Sequence, residues 1–329
     1  MTIVKHAGVI AWLIGIAVVI GLVIWSGIDS IAHAIASVGW GILAVVMVRV
    51  VTVSVAGAGW QLLLPSHKHP GLAACVLIRF VREAANALLP LMQVGGDLIG
   101  ARLLMFHGVA GPLAAASIIV DILVQAFTQF LFACLGVAVL VVLGVGNGLA
   151  QTVASALVVA ALLLAGFYLA QRRAGQRILQ WIMNGLAGDR QWRVLGTIEA
   201  VYGGLATIYA DRRRLVLSTF VHMIGWLIGV AEVLVVLTFM GNAVGLAEAI
   251  VIESLLHAVR GAAFAVPGAL GAQEGGLVLL CALFGIPPEQ AIALSLVKRV
   301  PDLILGVPSL LGWQLMEWQR LQANSARDQ

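Results

Sequence analysis

Apolar residues fill this chain in long blocks separated by short polar gaps. Six blocks, at 7–27, 38–64, 111–143, 150–171, 215–240 and 288–316, exceed the ~18 residues needed to cross a bilayer core as a helix. The period-two alternation of an outer-membrane barrel is absent. Two further stretches, 71–107 and 247–285, are mostly apolar but interrupted midway. The first break reads Leu89-Pro90-Leu91-Met92-Gln93-Val94-Gly95-Gly96-Asp97, and the second Val266-Pro267-Gly268-Ala269-Leu270-Gly271-Ala272-Gln273-Glu274. Proline and neighbouring glycines end helices. Broken backbone at membrane depth survives only where protein or a water-filled cavity supplies its hydrogen bonds. The pattern therefore predicts an all-α polytopic membrane protein: about six full spans plus two re-entrant, helix–break–helix hairpins. Eight or more full or short spans is the alternative reading of the same pattern.

Composition sharpens this picture. Of 329 residues, 61% are hydrophobic and 10% charged, and the mean hydropathy is +1.05. An ordinary soluble domain carries about 25% charged residues, so a soluble enzyme and a disordered chain are both excluded. Cys75, Cys134 and Cys281 lie in apolar stretches without metal-ligand spacing and read as small buried hydrophobes. No phosphate-binding loop, dinucleotide fingerprint or nucleophile elbow is present. No cofactor, no metal and no catalytic residue are expected.

Net charge is +4, unevenly spread. Residues 172–214 hold eight arginines against three acids, which makes them a basic segment between spans. Such a segment belongs on the cytoplasmic side, beside anionic lipid head groups, rather than on nucleic acid. With it inside, Lys5, Lys68, Arg320 and Arg327 are also inside, and both termini are cytoplasmic. The opposite loops, near 28–37, 144–149, 241–247 and 286–287, carry no lysine or arginine. Within the basic segment, Ile178, Leu179, Ile182, Met183 and Leu186, then Val194, Leu195, Ile198, Val201, Tyr202, Leu205, Ile208 and Tyr209, fall at helical spacing. That stripe either lies in the head-group plane or packs on the protein's own cytoplasmic face. Residues 7–27 are longer than a signal-peptide core of ~7–15 residues and read as an uncleaved anchor.

The two breaks align at an offset of 177 residues, with Pro90 on Pro267 and Asp97 on Glu274. Three full spans lie between them, and an odd number inverts the second unit in the membrane. The expected organisation is one membrane domain, 1–329, with a first repeat unit at 38–171, the basic segment at 172–214 and a second unit at 215–317. Inverted repeats with discontinuous helices are how many secondary transporters build a midplane site.

Charges inside the apolar segments point the same way. Seven are basic (Arg49, Arg79, Arg82, Arg102, Arg260, Lys298, Arg299) and seven acidic (Glu83, Asp97, Asp121, Glu232, Glu253, Glu274, Asp302). Left unpaired, fourteen such charges would cost on the order of 40 kcal/mol, against typical net stabilities of ~5–15 kcal/mol. They must pair, reach an interface or face a hydrated cavity. Reaching an interface or a neighbour accounts for Arg49, Arg102 and Glu232. The rest gather in and beside the broken stretches. Arg79 with Glu83, Arg82 with Asn86, Gln93 with Asp97, Asp121 with Gln125, and Lys298 with Asp302 are each i,i+4 and share helix faces. Glu253, His257 and Arg260 form one stripe, while Gln273, Glu274 and Arg299 complete the set. As structural ion pairs they hold a bundle together. As a polar cavity they accept a charged head group, with broken-helix N-termini offering N–H groups to an anion. Pro90, Gly95, Gly96, Pro267, Gly268 and Gly271 are the candidate hinge and close-approach positions.

The segments Arg82-Glu83-Ala84-Ala85-Asn86-Ala87-Leu88-Leu89-Pro90, Gln93-Val94-Gly95-Gly96-Asp97 and Val266 to Glu274 resemble the flippase-like membrane domain of lysylphosphatidylglycerol synthases, the multiple peptide resistance factors. Within that superfamily the chain looks most like the hopanoid-biosynthesis-associated membrane proteins. The likeness runs from about residue 7 to 318. It implies movement of lipid between leaflets of a bacterial inner membrane, the lipid being anionic or hopanoid-type. The family's second motif often reads Pro-Gly-Gly, and Ala269 stands at its third position here. The chain ends shortly after Trp318, so the family's head-group transferase domain is missing from it. A lipid transporter is the leading expectation. An integral membrane lipid-modifying transferase using Glu253, His257 and Arg260, and a scaffold for lipid-biosynthesis enzymes docking on 172–214, are the alternatives.

Overall fold

The computed structural model describes residues 28–65, 70–89, 95–145, 147–171, 198–263 and 266–325. The expected span 7–27, Lys68, the first break with Pro90 and Gln93, residues 172–197 and Arg327 lie outside the described residues. Among the described residues the regular elements are all helices, in the order α1 (Ile28–Val38), α2 (Gly41–Leu63), α3 (Leu72–Leu88), α4 (Gly95–Phe106), α5 (Gly111–Val142), α6 (Asn147–Ala170), α7 (Ile198–Ala210), α8 (Arg212–Phe239), α9 (Leu246–Ala262), a 3₁₀ turn (Pro267–Ala269), α10 (Ala272–Ala282) and α11 (Pro288–Ser325).

Four of these helices, α2, α5, α6 and α8, are long and apolar enough to cross a membrane. Local sequence sets where they start. Pro112 occupies the first turn of α5, where a missing N–H costs nothing. Asp211 caps α8, its carboxylate accepting from the Arg214 N–H at 3.1 Å. The expected span 288–316 lies inside α11, a 38-residue helix of about 57 Å. Its charges at Lys298, Arg299 and Asp302 and its internal Pro301 and Pro308 set it apart from the four.

Both interrupted stretches are broken helices. The second break turns on left-handed backbone at Gly268 (φ 63°), Ala269 (φ 48°) and Gly271 (φ 78°). The first brings α4 against α3 through Gly96 and Gly100, one turn apart. A Cβ at Gly96 would overlap the Arg82 carbonyl, and one at Gly100 would sit 2.5 Å from Arg82 Cδ. Small residues at this spacing let helices approach closely.

The packing pattern is reciprocal. Helix α3 packs on α11 as α9 packs on α5, α2 packs on α3 as α8 packs on α9, and α2 and α8 pack on one another. Helix α7 packs on α5 and α1 on α11. Of the expected surface stripe, Leu205 and Ile208 on α7 are buried against the protein itself. Arg214 Nη1 donates to the Leu64 carbonyl and ties the start of α8 to the end of α2.

Two apolar cores result. One joins Trp60 and Leu63 of α2 with Val120 and Val124 of α5, together with parts of α3, α4 and α7. The other joins Val45 of α2, Phe132 and Leu140 of α5 and Val230 to Leu237 of α8, together with α9, α10 and the first turns of α11. Along α2 and α5 the cores occupy opposite ends and leave a middle zone between them.

A charged cavity at mid-height

The middle zone is polar. Thr52 is the central residue of α2, while Gln125 and Ala126 on α5 and Gly225 and Trp226 on α8 sit at the middle of theirs. All five line one of two adjoining cavities of about 210 and 270 Å³. Arg49, Arg79, Glu83, Gln125, Gln129 and Arg260 line both.

One wall is an arginine network on α3. Arg79 pairs with Glu83 at 2.5 Å on its own helix and with Asp121 of α5 at 3.0 Å. Arg82 pairs with Asp97 of α4 at 2.7 Å and with Asp121 at 2.9 Å. Asp121, fully buried, also accepts from Gln125 Nε2 at 2.7 Å and faces His222 of α8 at 3.3 Å. The Arg82 guanidinium lies 4.5 Å from the centre of the buried Trp60 ring, a cation–π contact. Asn86 accepts the Gly96 N–H at 2.8 Å rather than meeting Arg82, so one N–H at the start of α4 is satisfied from within the protein.

The second network runs through α8, α9 and α11. Lys298 Nζ sits 2.6 Å from Glu232 and 2.9 Å from Glu253. Arg49 reaches Glu232 at 3.4 Å and the Lys298 carbonyl at 3.4 Å. That carbonyl lies in the same turn of α11 as Pro301, which lacks the N–H that would meet the neighbouring Val297 carbonyl. His257 Nε2 stands 3.2 Å from Glu253 Oε1, with the Trp226 ring 4.5 Å away. The sequence spacing offers Lys298 to Asp302, but Lys298 turns to the two glutamates.

Glu274 is fully buried and bound on every side. It accepts from the Gly271 N–H at 2.8 Å, from Ser295 Oγ at 2.7 Å and from Arg299 at 2.8 Å. Gln273 donates to Ser295 Oγ at 2.8 Å, and Arg299 also donates to the Gly268 carbonyl at 3.0 Å. This carboxylate caps α10, the expected partner of a helix N-terminus.

The candidate residues thus divide. Arg82, Glu83, Asn86, Asp97, Gln125, His257, Arg260 and Asp302 line the cavities, as does Gly268. Asp121, Glu253, Gln273, Glu274, Lys298 and Arg299 form the supports behind them. Gly95, Gly96, Pro267 and Gly271 lie at the breaks, while Pro90 and Gln93 fall outside the described residues. Arg102 is elsewhere, in an exposed pair with Glu317 at 2.6 Å. Arg49, Thr52, Gln129, His222 and Trp226 line the cavities without having been singled out from the sequence as binding residues. Arg49, Gln129, His222 and Trp226 meet partners on helices remote in sequence. A usable signal existed for Arg49 alone, since it lies too deep in α2 for a short reach to either interface. Among the described residues no group of three His, Cys, Asp or Glu side chains is placed to hold a metal.

A "UPF0104 membrane protein" of Methanothermobacter thermautotrophicus (strain ATCC 29096 / DSM 1053 / JCM 10044 / NBRC 100330 / Delta H) is 24% identical over 318 residues, covering 90% of this chain and 91% of the relative. No solved structure matches the chain. Residues 12–311 match the family described as "Lysylphosphatidylglycerol synthase TM region", so nearly the whole chain is accounted for. The chain belongs to that family of lysylphosphatidylglycerol synthase transmembrane regions.

Proposed function

We propose that this chain is a lipid transporter, a flippase that carries an amphipathic lipid between the leaflets of a bacterial inner membrane without altering it chemically. One observation carries the reading. A charged cavity lies at the mid-length of membrane-long helices, between two apolar cores. Charge at that depth is expensive, and where it lines a cavity it commonly marks a substrate path. A head group crossing the bilayer meets its highest barrier there, and paired but incompletely bonded arginines lower it.

Reciprocal packing supports an alternating mechanism built on an inverted repeat. Arg79–Asp121 links α3 to α5, and Glu253–Lys298 links α9 to α11 with the charges exchanged; at the 177-residue offset Lys298 falls on Asp121, and Glu253 lies about one turn from the position of Arg79. Breaking one pair while its counterpart holds would open the cavity to one face at a time. In this reading the broken stretches are re-entrant hairpins, the termini are cytoplasmic, and hopanoid-linked lipids are candidate cargo on the motif resemblance.

Mass spectrometry of co-purifying lipids tests the cavity. The wild type should retain a defined lipid enriched over the membrane average, and Arg260→Ala should lose it. An identical lipid profile in both proteins counts against the site.

A further inference from the structure

We propose that the head group taken by the cavity is a zwitterion, a phosphate joined to a primary amine, and not an anion. This rests on the lipid-transport reading of the same cavity. Arg260 and Asp302 carry the argument. Both line the 270 Å³ cavity, and neither has a hydrogen-bond or ion-pair partner among the described residues. The two share that cavity wall without ion-pairing contact. The charged neighbours on that wall, Arg49, Arg79, Arg82, Glu83 and Asp97, are all engaged. One cation and one anion are thus left facing a shared space.

A second observation fixes the anion-binding side. Arg82 is 2% exposed and its Nη1 has no partner, although it borders the same cavity. Arg260 therefore takes the phosphate, and Arg82, held behind it by Asp97 and Asp121, adds a second positive charge to that wall. The amine then falls to Asp302, with the half-exposed Glu83 carboxylate beside it.

Charge balance weighs against the alternative. With Arg102 outside, six basic side chains face seven carboxylates in the described interior when the histidines are neutral. An anionic head group would deepen that excess at a depth where uncompensated charge is penalised. A zwitterion leaves it unchanged. The space holds about nine waters at ~30 Å³ each, which suits a phosphate bearing a short amine.

The test uses acyl-labelled phosphatidylethanolamine and phosphatidylglycerol in phosphatidylcholine vesicles holding the full chain. Wild type should move the ethanolamine lipid at least tenfold faster. Asp302→Asn should abolish the preference and Asp302→Glu should keep it. Equal rates, faster phosphatidylglycerol, or a preference surviving in Asp302→Asn overturns the assignment. A second readout separates it from the transport reading. Glycerophosphoethanolamine should raise the melting temperature of the detergent-solubilised wild type more than glycerophosphoglycerol does, and Asp302→Asn should lose that difference. If no lipid moves but the difference is seen, transport fails and the head-group assignment stands. No difference overturns the assignment.

Discussion

Lys298 shows what one side chain does here. It is 2% exposed and sits between two buried carboxylates, Glu232 and Glu253. Removing it leaves Glu232 only the longer contact with Arg49 and Glu253 only His257, and breaking a buried pair costs about 3–5 kcal/mol. Lys298→Ala should therefore lower thermal stability in detergent severely. Arg102→Ala should change it little, because exposed pairs contribute about 0–1 kcal/mol and the Arg102 side chain is 57% exposed. Equal losses would mean that the interior pairs are weaker than their burial implies. Gly59 makes room for another charged group: a Cβ there would lie 2.5 Å from the His222 ring. Gly59→Ala should cost about 1–3 kcal/mol by overpacking and displace His222 from Asp121, visible as a changed imidazole resonance. These partnerships cross between helices distant in sequence. The i,i+4 pairs Arg79–Glu83 and Glu253–His257 are readable from spacing alone, while His222 with Asp121 and Arg49 with Glu232 are not.

At the scale of the element, the broken helices decide most. Helices α2, α5, α6 and α8 fall within a few residues of the ends that hydropathy predicts, because a bilayer leaves a long apolar segment little choice but a helix. Proline and glycine mark the breaks equally well. Sequence cannot show which acid faces the cavity and which caps a helix. Glu274 and Asp97 look equivalent after their breaks, yet Asp97 borders the cavity while Glu274 is sealed behind it. Glu274→Gln should accordingly lower thermal stability as well as activity, whereas Arg260→Ala should spare stability. Two variants with the same melting temperature would put Glu274 back in contact with substrate. Left-handed backbone at Gly271 predicts a loss of about 1–2 kcal/mol for Gly271→Ala. Ala269 already occupies such a conformation at φ 48°. Glycine there, as the family's motif often has it, should cost nothing beyond its small lost contact.

For the molecule as a whole, the arrangement of two cores around a polar middle is the feature that composition could not reveal. Counting charges in apolar segments predicts that they must be paired or hydrated, and all but Arg102 are gathered in and directly behind one zone. Their common height emerges only when α2, α5 and α8 pack side by side, and reciprocal contacts of α3 on α11 and α9 on α5 close the zone from both sides. The central claim is that this zone carries a lipid head group across the bilayer. Translocation of an acyl-labelled phospholipid in vesicles, compared between wild type and Arg260→Ala of equal melting temperature, tests it most directly. The account predicts movement by the wild type and a loss of at least about tenfold in the variant, the loss of ~1.4 kcal/mol or more of head-group stabilisation. Equal rates in the two proteins would contradict it.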